Sequence, residues 1–455
     1  MSNLLVPREQ RADEVVVDLH RRLAARGLDV PVRLWDGREL GPARAPYRVV
    51  LRAPWVLRSL VGHADDLVVG EAYLDDHVDI EGSMVAALRD LRRLAVDTDL
   101  GLGDRAALGL SVRRLPSPPR SRRRRARELR RDLAARLRGR AHSPERDAEA
   151  VRHHYDVGND FYRQFLDPQL VYSCAVFAEA DRGRAVDDPD VLARAQRRKL
   201  ELVCRKLNLQ PGQRLLDIGC GWGALVLHAA RHHDVEAVGV TLSTEQADLA
   251  RARIERAGMA DRVRVEVADY RDLDPRAGTF DAIASVGMVE HVGADHLDAY
   301  AAQLLRLLAP GGRLLNHGIT TGLRDTVRDF SRERDTFVAR YVFPDGALVP
   351  AHRMAAAIER AGYELWDLQQ LRPHYARTLE HWVSNLEANA AVARDLAGDR
   401  RFRVWRAYMA GSSVSFEVGD LGIVQILAAR PPHRLPFGRS WMEPSEPPPD
   451  ATCSW

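Results

Sequence analysis

Cysteine is scarce in this chain of 455 residues. Cys174, Cys204, Cys220 and Cys453 stand at irregular spacings, with no CxxC pair. That spacing excludes a disulfide framework and a cysteine zinc site, so no metal is expected, and a reducing cytoplasm is the simplest setting. No run of about 18 apolar residues occurs, so no spanning helix is expected. The opening MSNLLVPREQ holds no apolar stretch suited to a secretory signal. Lysine is nearly missing, with only Lys199 and Lys206 among 67 basic residues. Arginine alone therefore carries no message about phosphate recognition.

What remains is globular. Hydrophobic residues make up 45% and charged residues 29%, too apolar for wholesale disorder. The length implies two or three domains. Net charge is only +3, but between 113 and 140 thirteen arginines face just Glu128 and Asp132. Pro116, Pro118 and Pro119 open this stretch as a linker. Leu129, Leu133 and Leu137 then fall four apart, on one face of a short helix. Three readings stand for the stretch: solvated linker, contact with an anionic membrane, and contact with nucleic acid. Polybasic segments gain about 1 kcal/mol per cation near an anionic leaflet. Between Arg113 and Arg140 there is no aromatic residue for base stacking, so no nucleic-acid partner is expected.

The organisation follows from periodicity. Residues 1–110 read as a small mixed α+β domain and 111–142 as an Arg/Pro-rich linker. Residues 143–430 alternate strand and helix, and 431–455 form a Pro-rich tail expected to be loose. RLLDIG, VEAVGVTL, RVRVEVADY, FDAIASVG and GRLLNHGI are short apolar segments separated by helical stretches. That alternation implies an open, mostly parallel α/β sheet with helices on both faces.

Asp217-Ile218-Gly219-Cys220-Gly221-Trp222-Gly223 joins a strand to a helix. Gly219, Gly221 and Gly223 let the backbone turn tightly and approach a ligand. The spacing is G-x-G-x-G after an acid, not the dinucleotide G-x-G-x-x-G. It resembles motif I of class I S-adenosylmethionine-dependent methyltransferases, which implies a Rossmann-like fold. Many such enzymes carry an acid at the end of the second strand. Here Thr241, Leu242 and Ser243 stand there, and Gln246 on the next turn offers an amide. Thr241 and Ser243 also suit a helix cap. Asp269 and Tyr270 in ADYRDL follow the third strand, where an adenine is expected.

HHYDVGNDFYRQFLDPQLVYSCAVF, LLDIGCGWG, VGVTLSTEQ, ADYRDL, SVGMVEHVG, RYVFPDG and PHYARTLEHW occur in order. Together they resemble the cyclopropane-fatty-acyl-phospholipid synthase family, which includes mycolic-acid cyclopropane synthases and fatty-acid C-methyltransferases. GEAYLDDHVDIEG more loosely resembles the family's lipid-binding N-terminal domain. The resemblance implies methyl transfer to a cis double bond of an acyl chain in phospholipid, forming a cyclopropane. It implies S-adenosylmethionine as cofactor and a bound bicarbonate as base. Cys174, Glu290, His317, the Ile319 backbone and Tyr375 match the positions that hold the bicarbonate. Tyr172 and Ser173 match cofactor contacts, and Tyr155 stands near the reacting centre. Phe330, Phe337 and Tyr341, at i, i+7 and i+11, are expected on one helical face as an acyl-channel wall or as core.

Each of these residues alone has a plain packing explanation; their joint presence in separate motifs is what points to the anion site. NHGIT stands where bacterial phospholipid synthases more often have LHTI. SSVSFEVGDLGIVQIL lacks a cysteine found near this point in some relatives. Other readings are C-methylation giving a methylene or methyl branch, N-methylation of a small amine, and a noncatalytic lipid-binding protein. Transient contact with an anionic membrane surface, as a peripheral protein, follows from a bilayer substrate and no spanning helix. A homodimer is left open.

Overall fold

The computed structural model describes residues 8–25, 27, 29–62, 66–96, 115–116, 143, 146, 149, 157–323, 326–333, 336–434 and 436–443. The Arg-rich run from 117 to 142, Tyr155 and Cys453 lie outside the described residues. The chain forms two compact units. One comprises Met1–Arg136, Asp335–Val342 and Ala397–Val414; the other comprises Leu137–Arg334, Phe343–Leu396 and Ser415–Trp455.

The first unit pairs β1 (Val32–Arg33), β2 (Glu39–Leu40), β3 (Tyr47–Leu51) and β4 (Val78–Gly82) in the order β2-β1-β3-β4. Helices Arg8–Ala24, Pro54–Gly62, Asp66–Leu74 and Met84–Val96 accompany them. Two distant segments join this unit, so its boundary is not a single cut near 110. Arg403 and Arg406, 5% and 6% exposed, explain one recruitment. Arg403 donates to Asp399, Asp76, Asp79 and the Tyr73 carbonyl, and Arg406 donates to the Ile80 and Gly82 carbonyls. Buried guanidinium groups need that many acceptors. Gly70 explains the other: a Cβ there would sit 2.2 Å from Phe337 Cδ2, so only glycine admits the ring. Phe337 N also donates to Asp66 Oδ2 at 3.3 Å.

The second unit is built on β5 (Arg214–Ile218), β6 (Glu236–Thr241), β7 (Val263–Val267), β8 (Phe280–Val286), β9 (Leu308–Thr320), β12 (Glu364–Gln370) and β13 (Gly422–Ala429). Their order is β12-β13-β9-β8-β5-β6-β7. From β7 through β9 neighbours run parallel, while β13 is antiparallel to both β9 and β12. This is the α/β class that the alternating pattern predicts. β10 (Arg328–Asp329) and β11 (Ala347–Leu348) make a small separate pair. Consecutive side chains on a strand face opposite sides. Leu215 joins a core with Val203, Leu207, Val226 and Ile254, while Leu216 joins one with Ile283, Leu304, Ile358 and Ile426. The sheet is thus covered on both faces, and its strand ends are left as the place for a ligand.

Two local expectations are corrected. Phe330, Phe337 and Tyr341 do not share one helix. The helix covers only Phe337–Tyr341, and Phe330 follows β10 in the other unit, packed on Gly346. The intervening SRERDT is too polar to continue an apolar face, and Thr336 caps a new helix through the Ala339 N–H. The tail is not loose as far as Glu443. Arg439 pairs with buried Asp367, Arg205 donates to the Glu443 carbonyl, and Met442 is buried.

Candidate active site

The strand-to-helix turn after β5 needs glycine. Gly219, Gly221 and Gly223 have φ of 78°, 54° and 80°, the left-handed region that side chains resist. Gly219 and Gly221 line a cavity; Gly223 does not. It starts the helix Ala224–His233, where a Cβ would press on Ala250. Asp217, Thr241, Leu242, Gln246, Asp269, Tyr270, Tyr172 and Ser173 all line the same cavity. Thr241 Oγ1 donates to Gln246 Oε1 at 2.8 Å, and Ser243 Oγ accepts from Gln246 N. The cap and the cavity wall are therefore one arrangement, in which the Gln246 NH2 is the donor the amide can offer a ligand. Asp269 is held by the Arg271 guanidinium, with contacts of 2.9 and 2.6 Å.

The loop carrying Tyr172, Ser173 and Cys174 is fixed from below by the helix Pro189–Lys206. Gln196 Nε2 donates to the Ser173 carbonyl at 2.9 Å, and Lys199 Nζ donates to Ser173 Oγ at 3.0 Å. Asp167 accepts the Val171 and Gln169 N–H groups. Lys199 and Trp222 line the cavity although sequence reasoning missed them. The rarity of lysine was a usable signal for Lys199. Burial lowers its pKa to about 8 against the pull of Asp167 and Asp217. Burial likewise raises Asp217 to about 7, opposed by Lys199.

Beside the cavity the other candidates are tied together through backbone. Ile319 N donates to Glu290 Oε1 at 2.7 Å, joining the turn after β8 to β9. The Ile319 N–H, expected to face an anion, is thus engaged by Glu290. His317 stands two residues earlier on β9 and pairs in register with Gln425 on β13. Ile319 pairs with Ile423, whose carbonyl accepts from Leu371 N, and the Leu371 carbonyl accepts from Tyr375 N. Cys174 Sγ lies 3.9 Å from that same Leu371 carbonyl, and Ala175 N donates to Thr378 Oγ1 on the Tyr375 helix. The five candidates therefore converge on adjoining backbone. Gly318 has to be glycine, since a Cβ there would lie 2.3 Å from Val289 Cγ1.

Burial sets the electrostatics. It raises Glu290 to about 7, with the Ile319 N–H pulling the other way. It lowers His317 to about 3, aided by the charges of Lys199 and Lys206, so the imidazole is neutral. It pushes the Cys174 thiol up, so this cysteine is no thiolate nucleophile. Gln425 Nε2 and His317 Nδ1 are 3.0 Å apart. In this orientation of the amide, Gln425 Nε2 donates, so His317 Nδ1 accepts and His317 Nε2 carries the proton. Gln425, fully buried, is a third residue that sequence reasoning missed; only strand pairing reveals it. Glu290 Oε2 and His317 Nε2 are both buried with no hydrogen-bond partner. Tyr172 stacks on Trp382 with centroids 5.1 Å apart, and Tyr375 packs on Trp382 and Phe416 at 6.1 and 4.7 Å. This aromatic row runs from the cavity wall to Tyr375.

The family model described as mycolic acid cyclopropane synthetase matches residues 142–426. The chain is 37% identical over 427 residues to a Pseudomonas putida protein named "Probable fatty acid methyltransferase", covering 92% of this chain and 98% of that one. It is 37% identical over 279 residues to the cyclopropane-fatty-acyl-phospholipid synthase of Escherichia coli K12, covering 61% of this chain and 67% of the relative. Its fold matches a mycolic acid cyclopropane synthase crystallised with SAH and CTAB, with a TM-score of 0.56 and 33% identity, over 62% of this chain and 98% of the other.

Proposed function

As the chain belongs to the mycolic acid cyclopropane synthetase family of S-adenosylmethionine-dependent methyltransferases, we propose that it alkylates the cis double bond of an unsaturated acyl chain in phospholipid and closes a cyclopropane, with bicarbonate bound as the base. The observation that carries this reading is the pair of orphaned buried atoms, Glu290 Oε2 and His317 Nε2. An unpaired buried polar group costs about 1–3 kcal/mol, so such a pair marks a place for a polar ligand. A small oxyanion with one O–H has the chemistry to satisfy each: the imidazole N–H would donate to it, and the carboxylate would accept its proton. Two facing anions repel unless such a proton lies between them.

S-adenosylmethionine would supply the electrophilic methyl group, and bicarbonate would supply the base. The chain's residues do the rest. Gly219 and Gly221 let backbone approach the cofactor, and Gln246 and Asp269 offer it a donor and an acceptor. Tyr172, Trp382, Tyr375 and Phe416 present π-faces to a cationic centre on the acyl chain and keep out water that would capture it. Cys174 as a neutral thiol, Tyr375 and His317 hold the anion from their sides, and Glu290 orients it.

A second reading is C-methylation of the same alkene, giving a methylene or methyl branch. It is favoured by the name of the Pseudomonas putida relative, which matches nearly the whole chain. Both reactions share the cation and differ in which proton leaves. No helix among the described residues is long and apolar enough to cross a membrane. We assign bilayer contact to the Arg-rich segment between 113 and 140, and lipid recognition to the first unit.

Glu290→Gln in bicarbonate-depleted and replenished buffer tests the reading. Methyl transfer is expected to fall about 100-fold, the order of a lost general-base contribution, with S-adenosylmethionine affinity retained. Added bicarbonate restores the depleted wild-type enzyme but not the variant. An active variant, indifferent to bicarbonate, refutes the anion site.

A further inference from the structure

Only two of the 67 basic residues are lysine, and both are buried: Lys199 is 3% exposed and Lys206 1%. The lysine ammonium is a compact point charge with three donors, unlike the planar guanidinium fork. Lys206 has a structural account, since its Nζ lies 3.2 Å from Asp367 Oδ2 on β12. Lys199 has no such direct ion pair among the described residues. Its Nζ donates to Ser173 Oγ at 3.0 Å, and it lines the cavity beside the glycine turn.

The direction of that bond has a consequence. An ammonium only donates, so Ser173 Oγ accepts and must aim its own O–H elsewhere. Ser173 also lines the cavity. The same wall holds Asp217, whose Oδ1 is buried with no hydrogen-bond partner. The cavity thus offers a cation and a hydroxyl donor together, and a carboxylate acceptor on the same lining. That set complements a zwitterion with one carboxylate and one ammonium. The methionine end of S-adenosylmethionine is such a group.

We propose that Lys199 selects the carboxylate of the cofactor's amino-acid end, acting directly and by orienting the Ser173 hydroxyl. This rests on the cavity being the S-adenosylmethionine site. Lys199 is then a specificity residue for the cofactor, distinct from the groups assigned to proton removal.

Calorimetric titration of the full chain with S-adenosylmethionine and with decarboxylated S-adenosylmethionine tests it. The two ligands differ only in the carboxylate. Lys199→Met is expected to weaken S-adenosylmethionine binding by about 30-fold, the order of one charge-assisted hydrogen bond. Binding of the decarboxylated ligand should change by less than about 3-fold. Ser173→Ala leaves the buried charges in place and should lose about 5-fold for the carboxylate-bearing ligand alone, the middle of the range for a neutral hydrogen bond. It carries the test if Lys199→Met does not fold. Equal losses for both ligands would make Lys199 a purely structural cation and overturn the proposal, as would undiminished S-adenosylmethionine affinity in the variants. A wild-type protein that binds neither ligand overturns the cavity assignment itself.

Discussion

Replacing Gln425 by leucine removes the one contact that fixes the His317 tautomer while nearly preserving side-chain volume. Both residues are fully buried, and the amide nitrogen sits 3.0 Å from Nδ1. Because burial keeps the imidazole neutral, only one ring nitrogen carries a proton. With the amide in place that nitrogen is Nε2, the atom without a partner. Loss of the amide strands Nδ1 at a cost of about 1–3 kcal/mol and frees the ring to turn or exchange its proton. The expected result is a roughly 10-fold or greater rise in the bicarbonate concentration needed for half-maximal rate, about 1.4 kcal/mol of anion affinity. S-adenosylmethionine affinity should hold, because Gln425 does not line the cavity proposed for the cofactor. Nitrogen-15 spectra of labelled histidine report the tautomer directly. A variant with the wild-type His317 tautomer and the wild-type bicarbonate response refutes the reasoning.

Glu290 titrates near 7 against a usual carboxyl value of 4.5, so the folded state binds its proton more tightly than the unfolded chain. Stability should therefore fall as pH rises between those values, while the methyl-transfer rate at fixed bicarbonate rises through about 7; Glu290→Gln should lose that limb of the pH–rate profile. Gly318→Ala forces a Cβ into Val289 and should cost about 1–3 kcal/mol in chemical denaturation, with activity falling more than cofactor binding because Glu290 adjoins Val289. Gly221→Ala has open space but a left-handed φ of 54°, so it should cost about 1–2 kcal/mol and weaken calorimetric S-adenosylmethionine binding. Replacing Arg122, Arg123, Arg124 and Arg125 with serine should reduce co-sedimentation with anionic vesicles at low salt and leave turnover of detergent-dispersed lipid unchanged; salt-independent binding contradicts an electrostatic contact.

The sheet was legible because each strand is a short apolar run between helical stretches, and the glycine turn because left-handed backbone demands glycine at Gly219 and Gly221. The cavity-wall residues Thr241, Gln246, Asp269 and Tyr270 were readable for a related reason: they stand at the end of β6 or in the short stretches that follow β6 and β7. Gln425 was not, because its role arises only when β13 pairs antiparallel with β9 and sets it opposite His317. The recruitment of 335–342 and 397–414 to the first unit was hidden for the same reason. It depends on Gly70 admitting Phe337 and on the acceptors that surround Arg403 and Arg406, none of which has a local pattern. The tail misled because its prolines suggested looseness, whereas Asp367 and the helix Pro189–Lys206 supply partners for Arg439 and Glu443.

Incubating the full chain with isotopically methyl-labelled S-adenosylmethionine, bicarbonate and a phospholipid bearing a cis-monounsaturated chain tests the central claim most directly. The account predicts that label enters the acyl chain as one added CH2, with cyclopropane ring protons in the NMR spectrum and no remaining alkene at that position. A methylene or methyl branch would move the assignment to the second reading. Label that never reaches the acyl chain, although the enzyme binds S-adenosylmethionine and the lipid is accessible, would contradict the account.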